Sequence, residues 1–372
     1  MPSCLIVGGG VVGLSIAYEL ARRNWSVTVL DRRQPGREAS WAGAGILPPA
    51  NRATARHPLD VLRGLSFATH REWADRLLAE TGIDNGFQQC GGIYLARTAG
   101  EAAALAGLAE QFRDEEIPVE RLRHGELASF EPALARSADR FRAALWLPTE
   151  CQLRNPRHLR ALAAACQHHG VVIEPDVEMI DARCVGGKVT CVETTRGERS
   201  ADQVCFSAGA WTAELLKRLG VSLGILPIRG QMLLFRAAAP LLGRILNDGP
   251  RYLVPRDDGR ILVGSTEEEV GFDKRTTESG IADLIGFACD VLPALRDTPL
   301  GKRLGRVASR SLRRHALSRT PARIGERVCG GRSFPQRTVS VDGHRSSHGR
   351  SHRRRDPAIL PRTVSTLARL IR

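Results

Sequence analysis

The 372-residue sequence lacks the signals that would place it in several special classes. No apolar run approaches the roughly 18 residues that a membrane-spanning helix needs, and the start, Met1-Pro2-Ser3, lacks the basic segment of a secretory signal. The nine cysteines contain no CxxC pair and follow no disulfide framework. We find no metal-ligand pattern and no internal repeat. These absences predict a cytoplasmic globular protein without a metal and without membrane association.

The first 31 residues contain an apolar strand, a glycine-rich turn, a helix, a second strand and an acid. Cys4–Val7 runs directly into the turn, which reads GGGVVG from Gly8 to Gly13. In such a pattern Gly8 lets the chain turn out of the strand, Gly10 lets the backbone approach a pyrophosphate, and Gly13 lets the helix pack closely on the sheet. The helix start then faces the phosphates with free N–H groups and the positive end of its dipole.

The elements after the turn complete this pattern. Leu14–Arg23 has the apolar spacing of an amphipathic helix, and Ser26–Leu30 reads as the next parallel strand. Asp31 follows about 20 residues beyond the glycines, where a carboxylate can accept hydrogen bonds from ribose hydroxyls. The combination predicts a Rossmann-type dinucleotide-binding domain.

A second set of motifs indicates which dinucleotide is bound. Residues 37–47 are small and glycine-rich, which suits a loop and helix start around a large flat cofactor. Further motifs follow in order: CGGIYL at 90–95, SAGAW at 207–211, PIRGQ at 227–231, YLVPR at 252–256 and GRILVGST at 259–266. Over roughly residues 3–300 the chain resembles the D-amino-acid oxidase family of flavoproteins, and the glycine oxidases in particular. The resemblance implies FAD as the cofactor rather than NAD.

The resemblance and the coarse pattern together predict an α/β fold (α+β overall) with two interleaved domains. A Rossmann-type FAD-binding domain is expected over residues 1–50 and 150–215, with a crossover helix at Gln152–His169 and a strand at Val171–Ile173. A substrate domain is expected over residues 51–149 and 216–300. Its antiparallel strands are predicted at Gly92–Ala96, Gly230–Phe235, Tyr252–Pro255 and Arg260–Ser265.

The resemblance also implies site residues. Tyr252 is expected to act at the catalytic centre as part of the substrate wall. Arg229 has two open interpretations, the polar edge of the flavin or an ion pair with an acid, and Tyr94 and Trp211 are expected to pack. Trp41 stands where the family has a small residue or a hydroxyl. The cofactor-binding residues carried over are Gly8, Gly10, Val11, Val12, Gly13, Asp31, Arg32, Ala39, Ser40, Ala44, Gly45, Ile46 and Val177.

The activity that the resemblance implies is oxidative deamination of glycine or another small amino acid. A hydride would pass from the α-carbon to flavin N5, the imine would hydrolyse, and O2 would be reduced to H2O2. A role in making the thiazole of thiamine and a homotetrameric assembly are further implications. Two alternatives stay open: a flavin dehydrogenase with an acceptor other than O2, and an inactive truncated relic whose basic tail binds nucleic acid.

The net charge of +14 is concentrated in residues 301–372. This tail holds 19 of the 54 Lys and Arg residues but only 3 of the 40 Asp and Glu residues, so the remainder of the chain is close to neutral. It has no sustained helical or strand periodicity, which is typical of a disordered basic extension or of an arm that binds anionic surfaces. Phe334 is its only aromatic residue, so the tail has little capacity to stack on nucleic-acid bases, and we expect no specific nucleic-acid partner.

A third interpretation of the tail is a reading frame lost near Pro299–Arg303, by a mutation of the gene or by a sequencing error. The family's WAG, DG-PY-G and GHFR-G segments are absent from the chain as written. Codons can be written for Leu304–Arg310, Arg313–Arg319 and Arg332–Val339 that, read one base later, encode WAGSRPG, DGTPYLG and GHFRSGL. All three lie in family order and in one phase. The tail would then be an out-of-frame translation, and the family's carboxylate-binding arginine would lie in the lost segment.

Resequencing of the coding DNA from the codon of Leu292 to beyond the stop codon tests this hypothesis. We expect one base to be gained or lost near the codons of Pro299–Arg303, and the three family segments to emerge in frame. An unchanged sequence from an independently cloned gene would show that the hypothesis of a sequencing error is wrong.

Overall fold

The computed structural model describes residues 1–123 and 125–311. Its α-helices are α1 (Val11–Ala21), α2 (Ala39–Ala42), α3 (Pro58–Thr81), α4 (Ala99–Asp114), α5 (Glu126–Phe130), α6 (Asn155–His168), α7 (Thr212–Arg218) and α8 (Glu278–Val291). Its strands are β1 (Ser3–Val7), β2 (Ser26–Leu30), β3 (Ile46–Leu47), β4 (Gly92–Ala96), β5 (Glu120–Leu122), β6 (Ala143–Leu147), β7 (Cys151–Gln152), β8 (Val172–Glu174), β9 (Met179–Val185), β10 (Lys188–Thr194), β11 (Gly197–Arg199), β12 (Gln203–Phe206), β13 (Ile225–Arg236), β14 (Ile245–Asp248), β15 (Arg251–Pro255), β16 (Arg260–Gly264) and β17 (Leu300–Ser311).

The N-terminal strands form a parallel sheet in the order β12-β1-β2-β8. Strand β1 is buried on both faces, as strands of parallel sheets usually are. Ile6 packs with α1 and α6 on one side, while Leu5 and Val7 pack with Val177 and Met179 on the other. This arrangement confirms the Rossmann-type α/β fold that the sequence predicts.

A second sheet of eight strands has the order β17-β13-β16-β15-β14-β4-β6-β5. Its pairs are antiparallel except for β14 and β4, which run parallel. Alternate residues separate its two faces: Leu233, Leu253 and Val263 pack with α8 in one core, whereas Met232 and Val254 form a second cluster on the other face. The second face packs on residues 42–46, which precede and begin β3. The two sheets are therefore joined through the segment that follows α2.

Several predicted bounds differ from those of the structure. Helix α6 begins at Asn155 rather than Gln152, because Cys151 and Gln152 pair with Leu47 and Ile46 as β7 and β3. Pro156 then occupies the first turn, where its missing N–H leaves no bond unmade. Strand β13 is longer than predicted because its outer residues pair with β17.

The structure contradicts the prediction that irregular chain begins at residue 301. Leu300–Ser311 forms β17 and pairs with β13 from Phe235 back to Ile225. Main-chain hydrogen bonds make this edge pairing, and they do not require a periodic side-chain pattern. Val307 is nevertheless fully buried. The rest of the tail, including the DG-PY-G and GHFR-G positions of the frame hypothesis, lies outside the described residues.

Residues 179–199 form a separate three-stranded antiparallel sheet, β11-β10-β9. Met179 and Val192 pack this small sheet against the face of β1 and β2 that lies opposite α1. Across the part of the chain that the structure describes, no helix combines the length and apolar character needed to cross a membrane.

The packing of α1 on β1 yields a test of the glycine turn. An added Cβ at Gly13 would lie 2.0 Å from the Gly8 carbonyl oxygen, so Gly13→Ala should destabilise the fold by about 1–3 kcal/mol. Gly107→Ala is the control, because Gly107 lies in α4 with nothing within 4 Å of its added Cβ. That variant should gain about 0.5–1 kcal/mol from helix propensity. Urea unfolding measures both, and equal stabilities would contradict the assigned packing.

Candidate active site

Of the three motif glycines in the turn between β1 and α1, Gly8 and Gly13 are tightly packed and Gly10 is less crowded. Gly8 has φ +113° and an added Cβ would lie 2.6 Å from the carbonyl oxygen of Ser207, while Gly13 packs against Gly8 itself. Around Gly10 an added Cβ would meet only Ser40 Oγ, at 3.3 Å. The protein's own packing therefore demands glycine at 8 and 13. At Gly10 the Ser40 hydroxyl is the single near contact, so the backbone is partly accessible and a diphosphate can approach the helix start there.

Asp31 ties this turn to the end of β2. Its carboxylate accepts the N–H of Gly9 at 3.0 Å and the N–H of Arg33 at 2.9 Å, and its carbonyl accepts the N–H of Val177 at 2.9 Å. Burial raises the pKa of Asp31, against the lowering effect of its two backbone donors. A carboxylate has about four acceptor positions, so two remain for ribose hydroxyls.

Helix α2 and the segment that follows it lie against the glycine turn and are held by Asn155. Ser40 Oγ accepts the N–H of Val11 at 3.1 Å, and the Ser40 carbonyl accepts Asn155 Nδ2 at 2.8 Å. Asn155 Oδ1 is buried and has no hydrogen-bond partner among the described residues. Gly45 has φ +73°, and this conformation lets the main chain pass close to the Asn155 amide. Sequence reasoning treats Asn155 only as a helix start, because its contact with Ser40 spans 115 positions.

Arg256 is a buried guanidinium that joins the second sheet to this segment. Its Nη2 donates to the Ala44 carbonyl at 2.7 Å, and its Nη1 donates to the Leu153 carbonyl at 3.1 Å and to Gln152 Oε1 at 2.6 Å. No ion pair with an acid is recorded for it within the described ranges. Burial is the main reason that its pKa falls to about 10. The YLVPR motif contains this residue, but nothing in the motif shows that its partners are main-chain carbonyls.

Tyr252 lies on the sheet face that packs on residues 42–46. It shares a cluster with Ala42, Ala44 and Ile46, and its ring lies over Gly264, where an added Cβ would be 2.6 Å from the Tyr252 oxygen. Burial raises the pKa of Tyr252, so the hydroxyl stays neutral and able to donate. The structure therefore brings the predicted substrate-wall residue next to the predicted flavin-binding segment.

Tyr94 and Asn247 continue the same row of the sheet. In register, Tyr94 pairs with Asn247 and Asn247 pairs with Tyr252. Tyr94 was expected only to pack, but its hydroxyl donates to Glu150 Oε1 at 3.1 Å, and Asn247 Nδ2 donates to Glu150 Oε2 at 3.3 Å. Glu150 is fully buried, and burial raises its pKa to about 7. Sequence reasoning missed Glu150 and Asn247.

Arg229 occupies the other face of the sheet. It alternates with Met232 along β13, and it pairs with Glu268 and with Asp273 at 3.4 Å. Of its two interpretations, the structure supports the ion pair. Trp211 packs as expected, stacked on Phe272 with ring centroids 5.2 Å apart.

The predicted cofactor-binding residues lie close together. Those of the turn and of the β2 end meet through Gly9 and Asp31, and the α2 segment meets the turn through Ser40. Arg32 places its guanidinium 4.0 Å from the Trp211 ring centre, and Val12 is 59% exposed at the helix start. A cleft of about 610 Å³ opens at the far end of the segment beside Leu47, but none of the predicted site residues lines it.

Comparison with known families decides what the turn binds. The family described as FAD dependent oxidoreductase matches residues 3–349. The chain belongs to this family. Its cofactor is accordingly FAD, and the partly accessible backbone at Gly10, the acceptor positions of Asp31 and the buried Asn155 Oδ1 fit such a group. An L-α-glycerophosphate oxidase from Mycoplasma pneumoniae, solved with FAD bound, shares the fold at a TM-score of 0.71.

Several relatives of this FAD-dependent oxidoreductase are glycine oxidases. The Pseudomonas aeruginosa glycine oxidase is 36% identical over 295 residues, which are 79% of each chain. The crystal structure of glycine oxidase from Geobacillus kaustophilus superposes with a TM-score of 0.80 at 30% identity, covering 87% of this chain and 88% of that one. The bifunctional ThiO/ThiG protein of Trichormus variabilis is 32% identical over 80% of this chain and 44% of its own. The chain is thus a glycine-oxidase-like enzyme.

Arg256→Lys tests the guanidinium that joins the sheets. A lysine cannot bridge three acceptors in two directions, so Ala44 and Leu153 would lose donors in a buried place. We expect a loss of about 2 kcal/mol in unfolding free energy and a lower FAD content after purification. Arg251→Lys is the control, since Arg251 pairs at the surface with Asp283. If both variants retain equal FAD, the assigned role of Arg256 is wrong.

Gly264→Ala tests the position of the Tyr252 ring. The new methyl group would displace the Tyr252 ring, whereas Gly230→Ala, on the adjacent strand, meets nothing closer than 3.5 Å. We expect Gly264→Ala to raise the KM for the substrate about 10-fold, because the displaced Tyr252 would lose roughly one hydrogen bond to the substrate. The KM of Gly230→Ala should equal that of the wild type. Steady-state kinetics on both variants measures this. Identical KM values would remove Tyr252 from the substrate wall.

Proposed function

We propose that this enzyme oxidises glycine or another small amino acid and passes the electrons to O2. The support comes from the similarity to glycine oxidases and from one geometric observation. Tyr252, a neutral hydroxyl donor, lies between a sheet face and the Ala44–Ile46 segment that we assign to the flavin. A small carboxylate substrate fits a wall that offers a neutral donor amid apolar side chains.

The chain's own residues would bind the cofactor, orient the substrate and keep water from the reacting carbon. The Gly10 backbone and the start of α1 would hold the diphosphate, and Asp31 would hold the ribose. When bound, FAD supplies the redox chemistry by accepting a hydride from the substrate α-carbon. Ile46, with Met232 and Leu262, would keep water from the reacting carbon, and Tyr252 would orient the substrate carboxylate. No general base with a special position is required for the hydride transfer itself.

The setting of the reaction is part of the proposal. The similarity to a ThiO/ThiG protein supports an imine product that feeds thiazole formation in thiamine biosynthesis. All eight cysteines within residues 1–123 and 125–311 are free, which fits the reducing cytoplasm. A homotetramer is the assembly that we propose by resemblance.

A dehydrogenase is the second candidate function. The D-amino acid dehydrogenase of Methylobacterium nodulans is 29% identical over 349 residues. Such an enzyme would reduce FAD with the same amino acids but pass the electrons to a quinone or carrier. The pocket chemistry is shared, so only the fate of the electrons separates the two functions.

The deciding experiment supplies glycine, sarcosine and D-alanine to the purified full chain and measures flavin bleaching and H2O2. We expect anaerobic bleaching with at least one of the three, and peroxide on admission of air. Tyr252→Phe should lower kcat/KM about 10-fold by removing one hydrogen bond.

Each contrary result has its own meaning. Bleaching without peroxide would favour the dehydrogenase. A chain that retains FAD but is bleached by none of the three amino acids would contradict the proposed function. A chain that retains no FAD would support the truncated relic.

A further inference from the structure

Glu150 is a buried acid that the proposed chemistry does not use. It follows β6 and precedes β7, at the junction between the second sheet and the segment assigned to the flavin. Its carboxyl group sits over Gly92, where an added Cβ would lie only 1.5 Å from Oε2. Because Gly92 has no side chain, it leaves the space that this carboxylate occupies. This packing holds the Glu150 carboxyl group on the same sheet face as Tyr94, Asn247 and Tyr252.

The partners of Glu150 are neutral. Tyr94 from β4 and Asn247 from β14 donate to its two oxygens, and the titratable groups nearby in the chain fold are the thiols of Cys90 and Cys151. No Lys, Arg or His within the described ranges forms an ion pair with it. A buried carboxyl without a cation readily keeps or takes up a proton near neutral pH. Burial raises its pKa to about 7 in agreement with that environment.

The protonation state of Glu150 dictates which end of the Asn247 amide faces it. An ionised carboxylate only accepts hydrogen bonds, so Asn247 must present Nδ2 to it and turn Oδ1 away. A protonated Glu150 keeps one acceptor oxygen and gains one O–H. Because Tyr94 donates to Oε1, the O–H lies on Oε2, where Asn247 Oδ1 is the matching acceptor, and the amide then turns Nδ2 outward. The outward atom lies on the strand pair next to Tyr252.

We propose that Glu150 is a positioning residue that sets, through Asn247, whether the sheet face beside Tyr252 offers the substrate nitrogen an acceptor or a donor. This inference rests on the proposed function, since it assigns the amino group of the substrate to the Asn247 side of that face. With Glu150 ionised, Asn247 Oδ1 accepts an N–H of the substrate. With Glu150 protonated, Asn247 Nδ2 faces the substrate N–H, so one donor meets another and no hydrogen bond forms.

The sign of the pH dependence follows. Glu150 loses its proton as pH rises through about 7, so the acceptor form predominates at alkaline pH. Glu150→Gln keeps the bond from Tyr94, but its amide N–H₂ binds Asn247 Oδ1 at every pH and so fixes the donor form. We expect the ratio of wild-type to Glu150→Gln kcat/KM to be near 1 at pH 6 and about 10 at pH 8.5, the value of one misplaced hydrogen bond. Ionisation of the free substrate cancels in this ratio.

Selective ¹⁵N labelling of asparagine observes the amide without turnover. The chain has only five asparagines, Asn24, Asn51, Asn85, Asn155 and Asn247, and Asn247→Ala identifies the relevant side-chain signal. In the wild-type holoenzyme this signal should shift with a midpoint near pH 7, and in Glu150→Gln it should not. Tyr94→Phe removes a donor to the carboxylate and should move the midpoint to higher pH. Glu131→Gln is the matched control, because Glu131 is equally buried but paired with Arg244.

The outcomes separate this proposal from the proposed function. An Asn247 signal that does not titrate, or a kcat/KM ratio that is constant with pH, overturns the role of Glu150. In the Asn247→Ala background Glu150→Gln should have no further effect, and a remaining 10-fold effect would also overturn it. If the wild type oxidises no amino acid, the proposed function fails, and the amide titration still decides whether Glu150 controls Asn247. If Glu150→Gln does not fold, Tyr94→Phe supplies the same test through its shifted midpoint.

Discussion

The arrangement of this site depends on a buried guanidinium that binds carbonyls instead of acids. Arg256 leaves β15 and reaches across to Ala44 and Leu153, so the sheet that carries Tyr252 is registered against the segment after α2. Removing a charge from water is costly, and only donors matched to fixed acceptors offset that cost. The distance between the sheet face and the segment that we propose to bind the flavin is thereby set by main-chain atoms, which do not change with side-chain rotamers.

Local patterns of the sequence predicted the elements that local forces determine. Ser26–Leu30 and Gly92–Ala96 are strands with the predicted bounds, because each is a short apolar run between turn residues. The glycine turn was also predicted with its acid, since its spacing encodes close backbone packing. The α/β fold followed from the same residues, whereas FAD was implied by the family resemblance that the later motifs carry. The start of α6 was missed because β7 is made by pairing with β3, more than 100 positions away.

The polar part of the site could not be predicted for a related reason. Glu150, Tyr94 and Asn247 come from three distant parts of the chain, and only the sheet order β14-β4-β6 brings them to one place. Tyr94 alone reads as a packing aromatic, and Gly92 reads only as the first residue of a strand until the Glu150 carboxyl that packs over it is seen. Arg229 is a further case: it lies one position before the predicted strand Gly230–Phe235, and the acids that pair with it, Glu268 and Asp273, come from the loop between β16 and α8.

The loop between β16 and α8 adds a second attachment between the two sheets. Phe272 stacks on Trp211, which also lies under Arg32, and Lys274 binds Glu38 beside α2. Together with Arg256, this gives two separated points of fixation between the sheets. Two such points restrict relative rotation of the sheets to the single axis that joins them, so these contacts limit how the sheets can move when substrate and product exchange.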